Sequence, residues 1–202
     1  KNTSMVLLDF PLNDPSNAIL VEDGVYLRYP QERDYEHWAG IRAASRSHLQ
    51  PFEPLWAVDE LSLASYRKRL RIYARDIRAG VCRPYFIFRS EDDLLVGGCT
   101  LSNIRRRAAM TATLGYWVGR DHVRRGYALS AVKATVRSAF ETLKMERIEA
   151  ACLLDNKASQ NLLVKAGFQK EGIARNYLRI NGKRRDHVLF GLDPEEFRQA
   201  TS

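Results

Sequence analysis

The segment His122-Val123-Arg124-Arg125-Gly126-Tyr127-Ala128 sets two guanidinium groups and a glycine just ahead of an apolar run with helical spacing. The first N–H groups of a helix have no intrahelical acceptor, and they stand at the positive end of the helix dipole. A glycine there lets a ligand approach the backbone, so the pattern describes an anion site with charge added by Arg124 and Arg125. A plain charged turn leading into a helix reads the same way. The segment is neither the dinucleotide G-x-G-x-x-G nor the P-loop with its Lys-Ser/Thr end. His37, His48 and His122 are isolated and lack ligand spacing, so no metal is expected. Cys82, Cys99 and Cys152 are odd in number and far apart, which suggests neither a disulfide framework nor a zinc site and fits a reducing cytoplasm. Cys152 reads as a small core residue, since nothing nearby in sequence lowers its pKa.

These residues need elements to hold them. "VYLRYP" (25–30) alternates as a strand and stops at a proline, and "ERDYEHWAGIRAAS" then spaces Tyr35, Trp38, Ile41 and Arg42 along a helix face. The pattern breaks between Pro51 and Pro54. From Asp59 to Ala79, Leu61, Tyr66, Leu70, Tyr73 and Ile77 keep helical spacing among strong charges, with Gly80 as the stop. Strands follow at "YFIFRS" (85–90), "LLVGGCTLS" (94–102) and "ATLGYWVG" (112–119), and their short polar joins make them antiparallel neighbours. A helix over 128–143 places Leu129, Val132, Val136, Phe140 and Leu143 on one face. After it come a strand at 147–153, a helix at 157–168 stopped by Gly167, and strands at 174–180 and 186–192 around an Asn-Gly turn. This alternation predicts an α/β (α+β) fold with a mixed, mostly antiparallel sheet flanked by helices. The expected boundaries are an N-terminal extension at 1–22, one domain at 23–195 and a C-terminal tail at 196–202.

A chain of 202 residues, 45% hydrophobic and 10% aromatic, can bury one sizeable core. No run approaches the roughly 20 apolar residues of a membrane span, so no membrane partner and a cytoplasmic location are expected. The net charge of +8 favours polyanionic partners: nucleotide phosphates, ribosomal surfaces or acidic proteins. Clusters at Arg67-Lys68-Arg69-Arg71, Arg105-Arg106-Arg107 and Lys183-Arg184-Arg185 read equally as solvated faces. No DNA partner is indicated.

"GYWVG…VRRGYA", followed by "LLDNKASQNLLVKAGFQKEG", resembles the Gcn5-related N-acetyltransferase (GNAT) superfamily. Its acetyl-CoA pyrophosphate loop, Gln/Arg-x-x-Gly-x-Gly/Ala, corresponds here to Val123, Arg124, Arg125, Gly126, Tyr127 and Ala128, with Val123 departing from the first polar position. "SRSHLQPFEP", "TLSNIRRRA", "LGYWVG", "DNKAS", "GFQKEG" and "YLRINGKRRDHVL" extend the resemblance over about 25–193, to the ribosomal-protein-alanine N-acetyltransferases of the Rim group. The resemblance implies a sheet splayed between its fourth and fifth strands, here "ATLGYWVG" and "RIEAACL", with acetyl-CoA as cosubstrate lying in the gap. Trp117 and Val118 would offer backbone groups to the pantetheine arm, Asn156 would bond the pantetheine or thioester region, and Ser159 would sit near the sulfur. "FEPLW" would form a loop over the acceptor, although Trp38, Trp56 and Trp117 also read as packing groups.

Acetyl transfer to an amine requires oxyanion stabilisation, which backbone N–H groups supply, and protonation of a departing thiolate, which a hydroxyl supplies. Many superfamily members place a tyrosine seven positions after the asparagine of "DNKAS". Leu163 stands there, which leaves Ser159 as general acid or, alternatively, as a helix-start serine satisfying backbone donors. The strand "TATLGYWVG" offers no carboxylate as base, only threonines and Tyr116; Glu53, Tyr177, Asp186 and His187 are outlying candidates. An α-amine with pKa near 7.8 is about 15% neutral at pH 7 and lysine about 0.04%, a difference of roughly 3.5 kcal/mol. Weak base equipment therefore points to a protein N-terminus, alanine in the resembling group, on a ribosomal protein that the basic patches would help to engage. The alternatives are a small-molecule amine such as an aminoglycoside, polyamine or amino acid, and a non-catalytic ribosome- or RNA-binding module. The last lacks an aromatic array among its arginines.

Overall fold

The computed structural model describes residues 20–201. Eight strands form one sheet: β1 (Leu20–Glu22), β2 (Val25–Arg28), β3 (Arg83–Arg89), β4 (Leu95–Arg105), β5 (Thr111–Val118), β6 (Arg147–Leu153), β7 (Gln169–Ile180) and β8 (Lys183–Leu192). Their spatial order is β1-β2-β3-β4-β5-β6-β8-β7. Every neighbouring pair is antiparallel except β5–β6. A parallel pair needs a long crossover, and helix α4 (Tyr127–Glu141) supplies it.

Alternation along the strands sorts side chains onto two faces. On one, Leu27, Ile87, Cys99, Leu114 and Ile148 pack beneath α4, whose Ala131, Val132, Val136 and Ala139 are buried. On the other, Phe86 and Phe88 pack against Trp38 of helix α1 (Tyr35–Ala44) and against Tyr66 and Leu70 of helix α3 (Leu63–Arg78). Trp38 is therefore a core residue. Ser62 starts α3 by accepting the Ser65 N–H at 3.1 Å, four residues later than the spacing predicts. Helix α2 (Arg46–Leu49) continues α1, and helix α5 (Lys157–Lys165) follows β6.

Two boundaries differ from expectation. Of the extension at 1–22, residues 1–19 lie outside the described residues, while Leu20–Glu22 pairs with β2 and belongs to the sheet. The expected tail at 196–202 is instead most of helix α6 (Pro194–Thr201). Asp193 Oδ1 accepts the N–H groups of Glu195 and Glu196, Glu196 Oε2 accepts the Asp193 N–H, and this capping box starts the helix. Phe197 is buried against Phe140 of α4, ring centroids 5.8 Å apart. Strand β1 also shifts the count: the expected fourth and fifth strands are β5 and β6.

Burial pushes the Cys82 and Cys99 thiols up to about 12 and raises the Tyr66 and Tyr85 phenols in the same sense. The unfolded chain therefore releases these protons first, so the stability they contribute is complete below pH 9 and falls as pH rises toward 12. Denaturant midpoints at pH 8, 9.5 and 11 will fall in that order, and a Cys82→Ala/Cys99→Ala variant will show a shallower decline between pH 9.5 and 11.

Candidate active site

Strands β5 and β6 pair only from Thr111 to Leu114 against Arg147 to Ala150. Beyond that β5 stays on β4 as far as Val118, β6 stays on β8 as far as Leu153, and a gap opens between them. The Gly119 N–H donates to Val96 O on β4 at 2.9 Å. By alternation, the peptide groups of Trp117 turn to β4, and those of Tyr116 and Val118 turn into the gap. Of the pair expected to offer backbone there, Val118 faces the gap and Trp117 faces away, with Tyr116 in its place.

At the mouth of the gap, Gly126 caps α4 with φ of 83°, and Arg124 is also left-handed with φ of 61°. Among the described residues, no side-chain cap bond closes the α4 N-terminus. A Cβ on Gly126 would meet nothing within 4 Å, so glycine serves the backbone angle and keeps the space in front of the N–H groups clear. Val123, Arg124 and Arg125 are exposed, and Tyr127 and Ala128 begin the helix. The loop from Val123 to Ala128 is thus an open, cationic helix start.

Across the gap, Asn156 caps α5, its Oδ1 accepting the Ser159 N–H at 3.1 Å. The capping role considered for Ser159 therefore belongs to Asn156. Ser159 Oγ lies 2.8 Å from the Tyr116 hydroxyl, so the two form a hydrogen-bonded pair spanning the gap. Burial pushes the Tyr116 phenol up and keeps it protonated, and it raises the Cys152 thiol behind Ser159 as well. Alternation with Leu114 sets Tyr116 on the α4 face of β5, and the fold brings Ser159 to it from 43 positions away.

On the opposite face, Glu53 accepts two N–H bonds from Arg42, at 2.9 and 2.6 Å, and one from Trp56 Nε1 at 2.7 Å. The Arg42 guanidinium lies 4.4 Å from the Trp56 ring centre and 5.0 Å from that of Trp117. Trp117 in turn lies over Gly98, where a Cβ would come 2.5 Å from its Nε1. The Asn181 N–H donates to Glu53 O at 2.8 Å, tying the 50–58 loop to the β7–β8 turn. Glu53 is thus occupied as an anchor. Asp186 Oδ1 accepts the Asn176 N–H at 2.8 Å and braces the bulge in β7 between Ala174 and Leu178. His187 is buried, with Nδ1 3.0 Å from Arg185 O and its ring edge-on to Tyr177. No group of three or more potential metal ligands occurs among the described residues.

Residues 25–169 match the acetyltransferase (GNAT) domain model. The chain belongs to the GNAT acetyltransferase family. It is 36% identical over 173 residues to YjcK of Bacillus subtilis, described as a probable N-acetyltransferase, covering 85% of this chain and 96% of that protein. It is 31% identical to the [ribosomal protein uS5]-alanine N-acetyltransferase of Escherichia coli, covering 86% and 89%. The structure of Mycobacterium smegmatis RimJ in complex with CoA-disulfide superposes with a TM-score of 0.81 at 31% identity, covering 88% of this chain and 86% of that one. The GNAT acetyl donor is acetyl-CoA, and the clear, uncapped α4 start beside an unpaired strand edge suits its phosphates and its extended arm.

In this GNAT chain the Arg42–Glu53 pair is nearly enclosed, so Arg42→Ala leaves a carboxylate with lost partners. That variant will lose on the order of 3 kcal/mol of unfolding free energy, read by denaturant titration.

Proposed function

We propose that this acetyltransferase moves the acetyl group of acetyl-CoA to the N-terminal α-amine of a protein, with alanine first and a ribosomal protein as acceptor. The observation that carries the reading is the state of the carboxylates around the gap. Glu53 is held by Arg42 and Trp56, Asp186 by the β7 bulge, and Glu149 by Arg105 and Arg147. None is a free base, so the acceptor suited to this site is an amine already partly neutral at pH 7. The 31% identity to a uS5-alanine N-acetyltransferase supports the same substrate class.

In this reading the N–H groups from Val123 to Ala128 hold the pyrophosphate, with Arg124 and Arg125 adding charge. Asn156 fixes the α5 start, and the peptide groups of Tyr116 and Val118 hold the arm and polarise the thioester carbonyl. The amine attacks that carbonyl from the α1 side, under the 50–58 loop, because α4 and the donor occupy the other face. Ser159 Oγ, held by the Tyr116 hydroxyl 2.8 Å away, gives its proton to the departing thiolate, and the proton that the attacking nitrogen sheds as the amide forms restores the serine through solvent. The oxidation-sensitive thiols are three free, buried cysteines, in keeping with a reducing cytoplasm. No helix among the described residues is long and apolar enough to cross a membrane.

Purified protein given acetyl-CoA and a peptide with N-terminal alanine will release CoA, read with a thiol reagent, and will release none when that α-amine is blocked. Acetylation of a lysine in the blocked peptide, or of a polyamine in preference to the peptide, would overturn the substrate assignment. Gly126→Asp puts a side chain and a negative charge on the cradle and will abolish acetyl-CoA binding by calorimetry. Arg124→Ala will weaken it by about tenfold or less, as expected for an exposed charge contact.

A further inference from the structure

The tip of the β7–β8 hairpin carries charge that the fold itself does not use. From Arg175 to Arg185 there are five cationic residues and no carboxylate. Arg179 stands directly opposite Arg184 in the ladder, and Lys183 opposite Ile180. Like charges facing each other across a strand pair are destabilising. Among the described residues, neither Arg179 nor Arg184 meets a carboxylate: Arg179 Nε donates to Gly182 O, and Arg184 donates to the Asn176 and Tyr177 carbonyls. Among the described residues, Arg185 alone of the five has an ion pair, with Asp155 at 3.1 Å. The remaining donors face solvent.

This tip is fastened to a second unusual surface. The Asn181 N–H to Glu53 O bond joins it to the 50–58 loop, where Phe52, Leu55 and Val58 are all exposed. The rim of the acceptor side is therefore half cationic and half apolar, with the apolar half largely aliphatic. A nucleic acid answers mainly the first half: Phe52 and Tyr177 each offer one exposed ring to a base, whereas Leu55, Val58 and Leu178 offer no plane on which a base can stack. A protein segment carrying carboxylates and apolar side chains answers both.

We infer that this composite rim docks an acidic, partly apolar segment of the acceptor protein, the stretch immediately beyond the residue whose amine is acetylated. The inference rests on the acetyl-transfer reading above for its geometry. The amine must reach the gap beneath the 50–58 loop, and the chain behind it then crosses the loop and the hairpin tip. Arg179, Lys183 and Arg184 meet the carboxylates, while Phe52, Leu55 and Val58 cover the apolar side chains. The facing arginines thereby gain the counter-charge that the fold withholds from them.

Three 12-residue peptides with the same N-terminal alanine and the same two leucines test it, each carrying four Glu, four Gln or four Lys at positions 3–10 and a fluorophore at the C-terminus. Binding to the full chain with CoA present, read by anisotropy, reports docking; CoA release reports transfer. The Glu peptide will bind about tenfold more tightly than the Gln peptide at 50 mM salt, the advantage shrinking at 300 mM because exposed charges are screened. The Lys peptide will bind weakest. An R179E/R184E variant will erase the preference for Glu while still binding acetyl-CoA and acetylating the Gln peptide. Equal binding of the Glu and Gln peptides, a preference that survives in that variant, or displacement of the Glu peptide by a 12-nucleotide single-stranded RNA that binds more tightly would each overturn the docking proposal. A Glu preference in binding without any CoA release would uphold the acidic preference of the rim and overturn the N-terminal alanine assignment instead.

Discussion

Everything chemical in this protein depends on four residue pairs between two parallel strands. Pairing between β5 and β6 runs from Thr111 to Leu114 and then ends, because each strand is committed to its outer neighbour, β5 to β4 and β6 to β8. The sheet stays continuous at one end and opens at the other. An extended strand edge with unpaired peptide groups is usually a liability. Here it lies inside the sheet rather than at its rim, where a slender ligand can use it.

The two sides of that opening are built differently. On the α4 side the parts are backbone: an uncapped helix start, a left-handed glycine and an exposed strand edge, with a tyrosine and a serine hydrogen-bonded across the gap. On the α1 side the parts are side chains locked together by charge and stacking, with Arg42 between two indole rings and Glu53 beneath it. Backbone suits a donor whose recognised part is phosphate and amide. Locked side chains suit a wall that must keep its shape.

The elements with their own local signals were legible in the sequence. The apolar spacing of α4 and the stop at Gly167 stand where the pattern put them, and Asn181 and Gly182 both adopt positive φ, 44° and 80°, as a tight Asn-Gly hairpin turn requires. The α6 start was legible too, in Asp193-Pro194-Glu195-Glu196, yet its docking depends on Phe197 meeting Phe140, which no local window contains. The same reason hid the Tyr116–Ser159 pair, 43 positions apart, and the roles of Glu53 and Asp186. A carboxylate in sequence is a free base or a pinned anchor according to what distant elements place beside it, and both proved to be pinned. Of the expected pair only Val118 turns its peptide groups into the gap, because the pleat that decides this depends on the register with β4.

Gly98 gives the acceptor side an unexpected dependence on a strand that carries no chemistry. The Trp117 indole lies in the space where a side chain at 98 would be, and Arg42, Trp56 and Glu53 are stacked outward from that indole in turn. The depth of the acceptor wall is thus set by a missing methyl group at its base. Filling that notch would lift the whole column toward the opening, so acceptor choice in such a scaffold can drift through substitutions in β4 that no comparison of site residues would flag.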